Sequence, residues 1–322
     1  MDNWQPSGLS WSFSRKTHFD DCKRLYFYHR FWGQDPATRW RMYEMRCIST
    51  IKMMQGSVVH EVIAEALESA KRGSIVEPES LKKRITKVMW DKFSESADRM
   101  WEYGNRPAGR KQGDVTNLLE HYYNLPDARE RAREARDTGW QCIDNMISSD
   151  LWRQIVGSDR DGWREIDEDD FPSFDLDGIK VYARLDFALL LESPTIIDWK
   201  TGRPGDDDRT QLTLYSLYAQ SKWGWKPEQT KLIAAHLQPE MQLVQFSPTL
   251  EDVERAEETV KRSFAEMVEL EPAFGPADIA NFPITEKTWC CRLCRFQGIC
   301  EGAKRIQPGE PAQDTEPEPD WE

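Results

Sequence analysis

The sequence predicts an α+β, mixed α/β fold: a sheet in the middle of the chain with helices before, between and after its strands. Three observations carry this. Between Ile179 and Leu189 the apolar residues Ile179, Val181, Ala183, Leu185, Phe187 and Leu189 fall at every second position, the period of a strand with one face in a core. On either side, Val59, Ile63, Ala66 and Leu67, and the run over residues 249–269, follow helical spacing. The chain's 322 residues are 39% hydrophobic, with 14 Trp, 13 Phe and 9 Tyr, enough large apolar surface to build a domain-sized core. That excludes a disulfide-held miniprotein and global disorder.

In chain order, residues 14–29 and 56–70 read as helices, the second stopped by Gly73. Residues 79–155 read as helical, broken at Arg106-Pro107 and Leu125-Pro126. The alternating strand from Ile179 runs to a Ser193-Pro194 turn, and residues 195–199 form its β-rich partner. Residues 211–220 read as a helix, and 231–237 and 242–246 as strands around Gln238-Pro239. Thr249 and Asp252, spaced as a capping box, open the long helix. The organisation expected is an N-terminal segment over 1–55, a core over 56–270 with a helical insertion at about 79–155, a cysteine-rich segment over 271–306 and a disordered tail over 307–322. That tail holds six acids and four prolines with no Lys or Arg, too little apolar area to offset ordering entropy.

The net charge of −13 argues against a general nucleic-acid coat protein, so any such surface must be local. Residues 1–52 carry nine basic side chains against five acidic ones, interleaved with eleven aromatics, whereas residues 158–200 carry twelve acids against five bases. The first segment, with the basic side chains of residues 81–136, is a candidate groove for single-stranded nucleic acid, although most of its aromatics are expected in the core. No run of eighteen apolar residues and no leader-like N-terminus is present, so neither a membrane span nor secretion is expected, and the location expected is cytoplasmic. Seven cysteines, four of them within residues 290–300, suit metal ligation better than disulfides in a reducing compartment.

Chemistry concentrates in Ala183-Arg184-Leu185-Asp186 and Ile196-Ile197-Asp198-Trp199-Lys200-Thr201-Gly202. Asp186 is read toward the end of one strand and Asp198 at the end of the next, so pairing brings both carboxylates to one sheet edge. Two convergent carboxylates suit Mg2+ or Mn2+, whose remaining positions go to water and phosphate. The period of two turns Lys200 to the face of Asp198, where it can orient or deprotonate an attacking water and offset charge in the transition state. A lone D-x-K is an everyday surface pair; the apolar run before Asp198 and the turn after Lys200 set this one apart. Glu165 reads as solvated loop charge.

These residues resemble the RecB-like branch of the PD-(D/E)xK nucleases, especially the CRISPR-associated and phage exonucleases that carry four cysteines. The family's G-R-[IVL]-D is similar to Ala183-Arg184-Leu185-Asp186, with Ala183 in place of glycine. Its [IV]-D-[YWF]-K-T-G is similar to Ile197-Asp198-Trp199-Lys200-Thr201-Gly202, its Q-x-x-x-Y to Gln211 and Tyr215 on one helix face, and its G-x-x-x-H to Gly56-Ser57-Val58-Val59-His60. The resemblance implies a restriction-endonuclease-like core sheet flanked by helices. It also implies His60, Asp186 and Asp198 as ligands of Mg2+ or Mn2+, the Trp199 carbonyl as a further ligand, and Lys200 as the catalytic lysine. Gln211 and Tyr215 would support the site or contact DNA. Taken alone, His60 is more often a hydrogen-bonded helix histidine, and Tyr215 a core residue.

Cys291, Cys294 and Cys300 form a C-x2-C-x5-C array, and three thiolates need a fourth ligand to close a zinc or cubane site. Cys22 is the leading candidate, because Phe19-Asp20-Asp21-Cys22-Lys23-Arg24-Leu25-Tyr26-Phe27-Tyr28 resembles the opening segment of the same family. The resemblance implies a [4Fe–4S] cluster joining the two ends of the chain, with Zn2+ the alternative. Cys290 can stand in for Cys291, and Cys47 and Cys142 read as small apolar residues. The function implied is a Mg2+- or Mn2+-dependent DNA exonuclease acting from single-stranded or free ends, in recombination, repair, phage DNA processing or CRISPR adaptation, with protein partners open. A non-catalytic DNA-end-binding or assembly module is the alternative from another class, and an iron–sulfur redox sensor a third.

Overall fold

The computed structural model describes residues 8–167, 172–202, 204–205 and 207–303, so the acidic tail over 307–322 lies outside the described residues. The chain divides into two units. One gathers the residues up to 50, residues 95–124 and those from 263 onward; the other holds residues 51–94 and 125–262.

The second unit is organised by a five-stranded sheet in the order Gln242–Phe246, Lys231–His236, Pro194–Lys200, Phe187–Leu190, Trp163–Ile166. Neighbours are antiparallel except Pro194–Lys200 and Lys231–His236, whose parallel pairing needs a crossover, supplied by the helix Asp207–Trp223. The two central strands are apolar without alternation: Ile196, Ile197, Leu232, Ile233, Ala234 and Ala235 are all buried, as for strands covered on both faces.

The alternating run from Ile179 is divided between two sheets. Ile179–Tyr182 pairs with Ser173–Leu176 in a hairpin, and only Phe187–Leu190 joins the five-stranded sheet. The hairpin turns at Asp177 and Gly178, whose φ of 50° and 84° is the left-handed pair that a tight two-residue turn requires. Ala183 and Leu185, between the two strands, are still buried. Alternation records which side chains face a core, not which partner the backbone pairs with, so one pattern spans two strands. The strands Trp163–Ile166 and Ser173–Leu176, each four residues long, carry no clear pattern in the sequence because acids surround their apolar positions.

The helix Ile51–Lys71 starts ahead of the expected residue 56. Residues 79–155 are only partly helical: Pro78–Ala97, Leu119–Tyr122, Ala128–Ser148 and Asp150–Gly157 are helices, and the chain leaves the first of them well before Pro107. Ala128–Ser148 packs closely at Gly139, where a Cβ would stand 3.3 Å from Ile85 and 3.6 Å from Val59. The long helix is Leu250–Glu269, capped reciprocally: Thr249 N–H donates to Asp252 Oδ2 at 2.9 Å and Asp252 N–H to Thr249 Oγ1 at 3.1 Å.

In the first unit the helix expected over 14–29 is two, Phe13–Asp21 and Lys23–Arg30, because Cys22 is extended at φ −161°, ψ 113°. Trp11, Phe19, Tyr26, Phe27, Tyr28 and Phe31 are buried, so most of the N-terminal aromatics are core. Phe282 packs 5.0 Å from Phe27, and Phe296 5.0 Å from Tyr28, centroid to centroid, each buried ring being worth about 1.5–3 kcal/mol. No helix among the described residues is long and apolar enough to cross a membrane.

Candidate active site

The central strand Pro194–Lys200 carries Asp198 into the second unit's interior, where it is 4% exposed. Phe187 faces Ile197 in the antiparallel register, so Asp186, one residue earlier, comes level with Asp198, one residue later. Asp186 thus stands just before a strand rather than toward the end of one, yet the two carboxylates reach the same edge. Backbone and side chain then hold Asp186 from two directions: Trp199 N–H donates to Oδ2 at 2.7 Å, and His60 Nδ1 lies 3.1 Å from Oδ1. His60 arrives on the helix Ile51–Lys71, whose close approach depends on Gly56, since a Cβ there would stand 3.2 Å from Thr201 Oγ1.

Lys200 Nζ lies 2.7 Å from Asp198 Oδ2, donates to Gln211 Oε1 at 2.6 Å and is 3.7 Å from Asp208 Oδ1. The buried Asp198 oxygen is thus tied to the lysine ammonium. Gln211 Nε2 donates to Tyr215 OH at 2.8 Å, four residues along the same helix, and Tyr215 is buried. The structure therefore brings His60, Asp186, Asp198, Trp199, Lys200, Gln211 and Tyr215 together.

Carboxylates and cations are closely coupled here, and the protonation equilibria register it. Burial, then Asp186, pushes the Asp198 carboxyl up to about 6 against the pull of Lys200 and His60. Burial alone would lower His60, but Asp186, with Asp198 and Asp167 behind it, raises it to about 9. Lys200 likewise rises despite burial, held by Asp198, Asp208 and Asp186. Carboxylate oxygens converging with an imidazole on one sheet edge are a donor set suited to a divalent cation. A cavity of about 990 Å3 adjoins it, lined by Gly56, His60, Asp167, Arg184 and Asp186 among others.

Three residues of this centre were missed by sequence reasoning. Asp167 accepts from Arg184 Nε at 2.8 Å, and its N–H donates to the Asp186 carbonyl at 2.9 Å; finding it required the strand Trp163–Ile166. Asp208 lies one turn before Gln211, a helix-face spacing that could have marked it. His236, fully buried, is the register partner of Lys200, with Nε2 3.0 Å from Asp208 Oδ2 and Nδ1 3.0 Å from the Gly202 carbonyl. Glu165 is not a solvated loop charge: it is a buried strand residue paired with Lys222 at 2.8 Å.

In the first unit, Cys22, Cys290, Cys291, Cys294 and Cys300 line one cavity of about 20 Å3. Among the described residues, none of the seven cysteines is in a disulfide, and burial pushes the Cys290 and Cys294 thiols up to about 12. Among the described residues, no three or more His, Cys, Asp or Glu side chains stand as a metal-holding group. At both centres the donor chemistry suits a cation, soft sulfur at one and hard oxygen with imidazole at the other, but the separations do not describe a closed coordination shell. The expected [4Fe–4S] cluster thus has no ligand geometry behind it. Cys142 is buried, as expected of a small apolar residue.

The family model of the PD-(D/E)XK nuclease superfamily matches residues 10–301. No curated protein matches the chain. Among solved structures, a "Putative exonuclease" from Eubacterium rectale is similar at 12% identity and a TM-score of 0.40, over 87% of this chain and 86% of that one. A protein designated SSO0001 is similar at 16% identity and a TM-score of 0.29, over 56% of this chain and 77% of its own.

Proposed function

Since this chain belongs to the PD-(D/E)XK nuclease superfamily across residues 10–301, we propose that it is a Mg2+- or Mn2+-dependent deoxyribonuclease, an exonuclease acting from single-stranded or free DNA ends. The observation that carries this reading is the meeting of His60, Asp186, Asp198 and Lys200 at one sheet edge.

Asp186, Asp198 and His60 would hold the ion. The Trp199 carbonyl would join them, because the N–H and C=O of a strand residue leave on the same side and the Trp199 N–H already meets Asp186. When bound, such an ion supplies Lewis-acid polarisation of phosphate and a lowered pKa for water. The chain's own groups do the rest. Lys200 presents an ammonium to a water or a phosphate oxygen and offsets the charge that develops at phosphorus. Gln211 receives from Lys200 Nζ and donates to Tyr215, so the lysine head is held in one direction rather than free to rotate. Arg184, oriented by Asp167, lines the adjoining cavity and is placed to pair with a phosphate.

The same reading gives Cys22, Cys291, Cys294 and Cys300 to a [4Fe–4S] cluster, or to Zn2+. It rests on the gathering of these four around one cavity, where metal-binding energy would become folding energy of that unit. A blue-visible absorption band in anaerobically purified protein, lost in Cys294→Ser, assigns iron; colourless protein with stoichiometric zinc assigns zinc.

The test of the activity is incubation with end-labelled single- and double-stranded DNA, and with circular single strands, in Mn2+ and in EDTA. Linear DNA should be degraded from its ends in Mn2+, circles should persist, and Asp198→Ala should bind DNA without cutting it. Cleavage that survives Asp198→Ala removes the assignment.

A further inference from the structure

Most of the N-terminal aromatics are buried, but one group of rings in the first unit is not. The helix Arg39–Arg46 turns Met42 and Met45 into the core and leaves Trp40 47% exposed. Tyr103, in residues 95–124 of the same unit, is 80% exposed and meets Trp40 edge to face, at 6.2 Å between centroids and 88°. Tyr43 lies 6.0 Å from Trp40 and 5.1 Å from Trp32, so the four rings follow one another in a row. The Arg106 guanidinium stands 5.4 Å from the Trp40 ring centroid, and its bond to the Gln112 side-chain oxygen fixes it there. Trp32, at the inner end of the row, borders a cavity of about 580 Å3 where four arginines and two histidines meet; the outer pair, Trp40 and Tyr103, does not line it.

Large rings held open to water favour a partner with a flat apolar face. Residues 39–46 and 99–111, which carry the outer rings, hold seven basic side chains against two acidic ones, and they stay net positive even with Glu95, which pairs with Arg110. Rings and charge together fit a chain that repeats a π face and a negative charge at every unit. An unpaired nucleic-acid strand does so, its bases stacking on the rings and its phosphates facing the guanidiniums. A duplex keeps its base faces inside its own stack and offers mainly phosphates. We propose that Trp40 and Tyr103, backed by Tyr43 and Arg106, form a stacking surface for the unpaired bases of a nucleic-acid strand. The proposal rests on the reading of the chain as a nuclease for its choice of nucleic acid over an acidic protein surface. It deepens that reading, because it gives the preference for single strands a place and a mechanism beyond the general attraction of a positive segment.

The test is equilibrium binding of the full-length chain in EDTA, where nothing is cut, to three ligands of equal length: a single-stranded oligodeoxynucleotide, its duplex, and an abasic strand with the same phosphates. The single strand should bind about tenfold tighter than either of the others. Trp40→Ala and Tyr103→Ala should each remove most of that advantage and leave the duplex and the abasic strand nearly unmoved, because a stacked base is what is lost. Both side chains stand out of the core, and unchanged circular dichroism and melting verify that the variants fold. Equal binding of the single and abasic strands overturns the proposal, since it reduces the surface to charge alone. An advantage that survives in both variants overturns it too. Self-association that falls away in both variants while strand binding stays intact overturns it in favour of contact between copies of this chain. Cleavage in Mn2+ is scored on the same preparation: cutting, with strand binding indifferent to the rings, removes the surface and spares the nuclease reading, and ring-dependent binding without cutting does the reverse.

Discussion

Replacing Asp198 by asparagine should make the metal-free protein more stable. The carboxyl is 4% exposed, and burial followed by Asp186 raises it to about 6, against about 3.9 in an unfolded chain. A carboxyl raised in the fold stabilises fully below its unfolded value, and that contribution is lost as pH rises through about 6. Two units at about 1.4 kcal/mol each mean that the ionised group costs the fold on the order of 3 kcal/mol at neutral pH. Asparagine keeps the shape and removes the charge. Lys200 then loses its 2.7 Å contact, whose pull is already contained in that figure, and keeps Gln211 and Asp208. The net gain is on the order of 3 kcal/mol, a rise in Tm of roughly 6–12 °C in EDTA at about pH 7.5. Thermal melts in EDTA at about pH 7.5 and about pH 5 read it, and the difference should shrink at the lower pH, where the wild-type carboxyl is protonated. Added Mn2+ should raise the wild-type Tm and leave Asp198→Asn unmoved. A variant that melts below wild type at about pH 7.5, or a margin equal at both pH values, refutes the account.

Other perturbations probe the supports of the site. His236→Phe removes the 3.0 Å contact that orients Asp208 toward Lys200, and kcat should fall about ten- to a hundredfold at nearly constant DNA affinity; an unchanged kcat denies the residue a positioning role. Gly56→Ala puts a methyl 3.2 Å from Thr201 Oγ1, so cleavage should weaken and Thr201→Ala should restore it in the double variant, a coupling that additive effects would disprove. Asp252→Ala deletes the carboxylate half of the helix cap and the 2.6–2.7 Å pair with Arg209, while the backbone N–H to Thr249 Oγ1 remains, for a loss of about 1–2 kcal/mol in denaturant titration. Arg209 holds that carboxyl well below the usual range, so its stabilisation is complete at neutral pH and lost on acidification. The variant should therefore lose less stability than wild type as pH falls, and parallel curves would contradict this.

The strands around Asp198, the crossover helix and the Thr249–Asp252 cap were legible in the sequence, because each is set by residues within a few positions of one another. An apolar run is followed by a charge, Gln211 and Tyr215 share a helix face, and a hydroxyl stands three residues before a carboxylate. The break at Cys22 and the partition of residues 179–190 between two sheets were not legible, since a local pattern says which way a side chain faces and not what the backbone pairs with. Asp167 and His236 belong to the centre through strand register, and they stand at sequence distances no motif spans, whereas Asp208 shares a helix face with Gln211. The sequence by itself determined the types of element and the D-x-K chemistry. Only the tertiary structure decided that a buried carboxylate would share one sheet edge with Asp186, His60 and Lys200, and that four arginines and two histidines drawn from separate segments would close around one hollow. Both depend on which charges fold into the same small volume, because burial and Coulombic coupling are set by distance through space rather than along the chain.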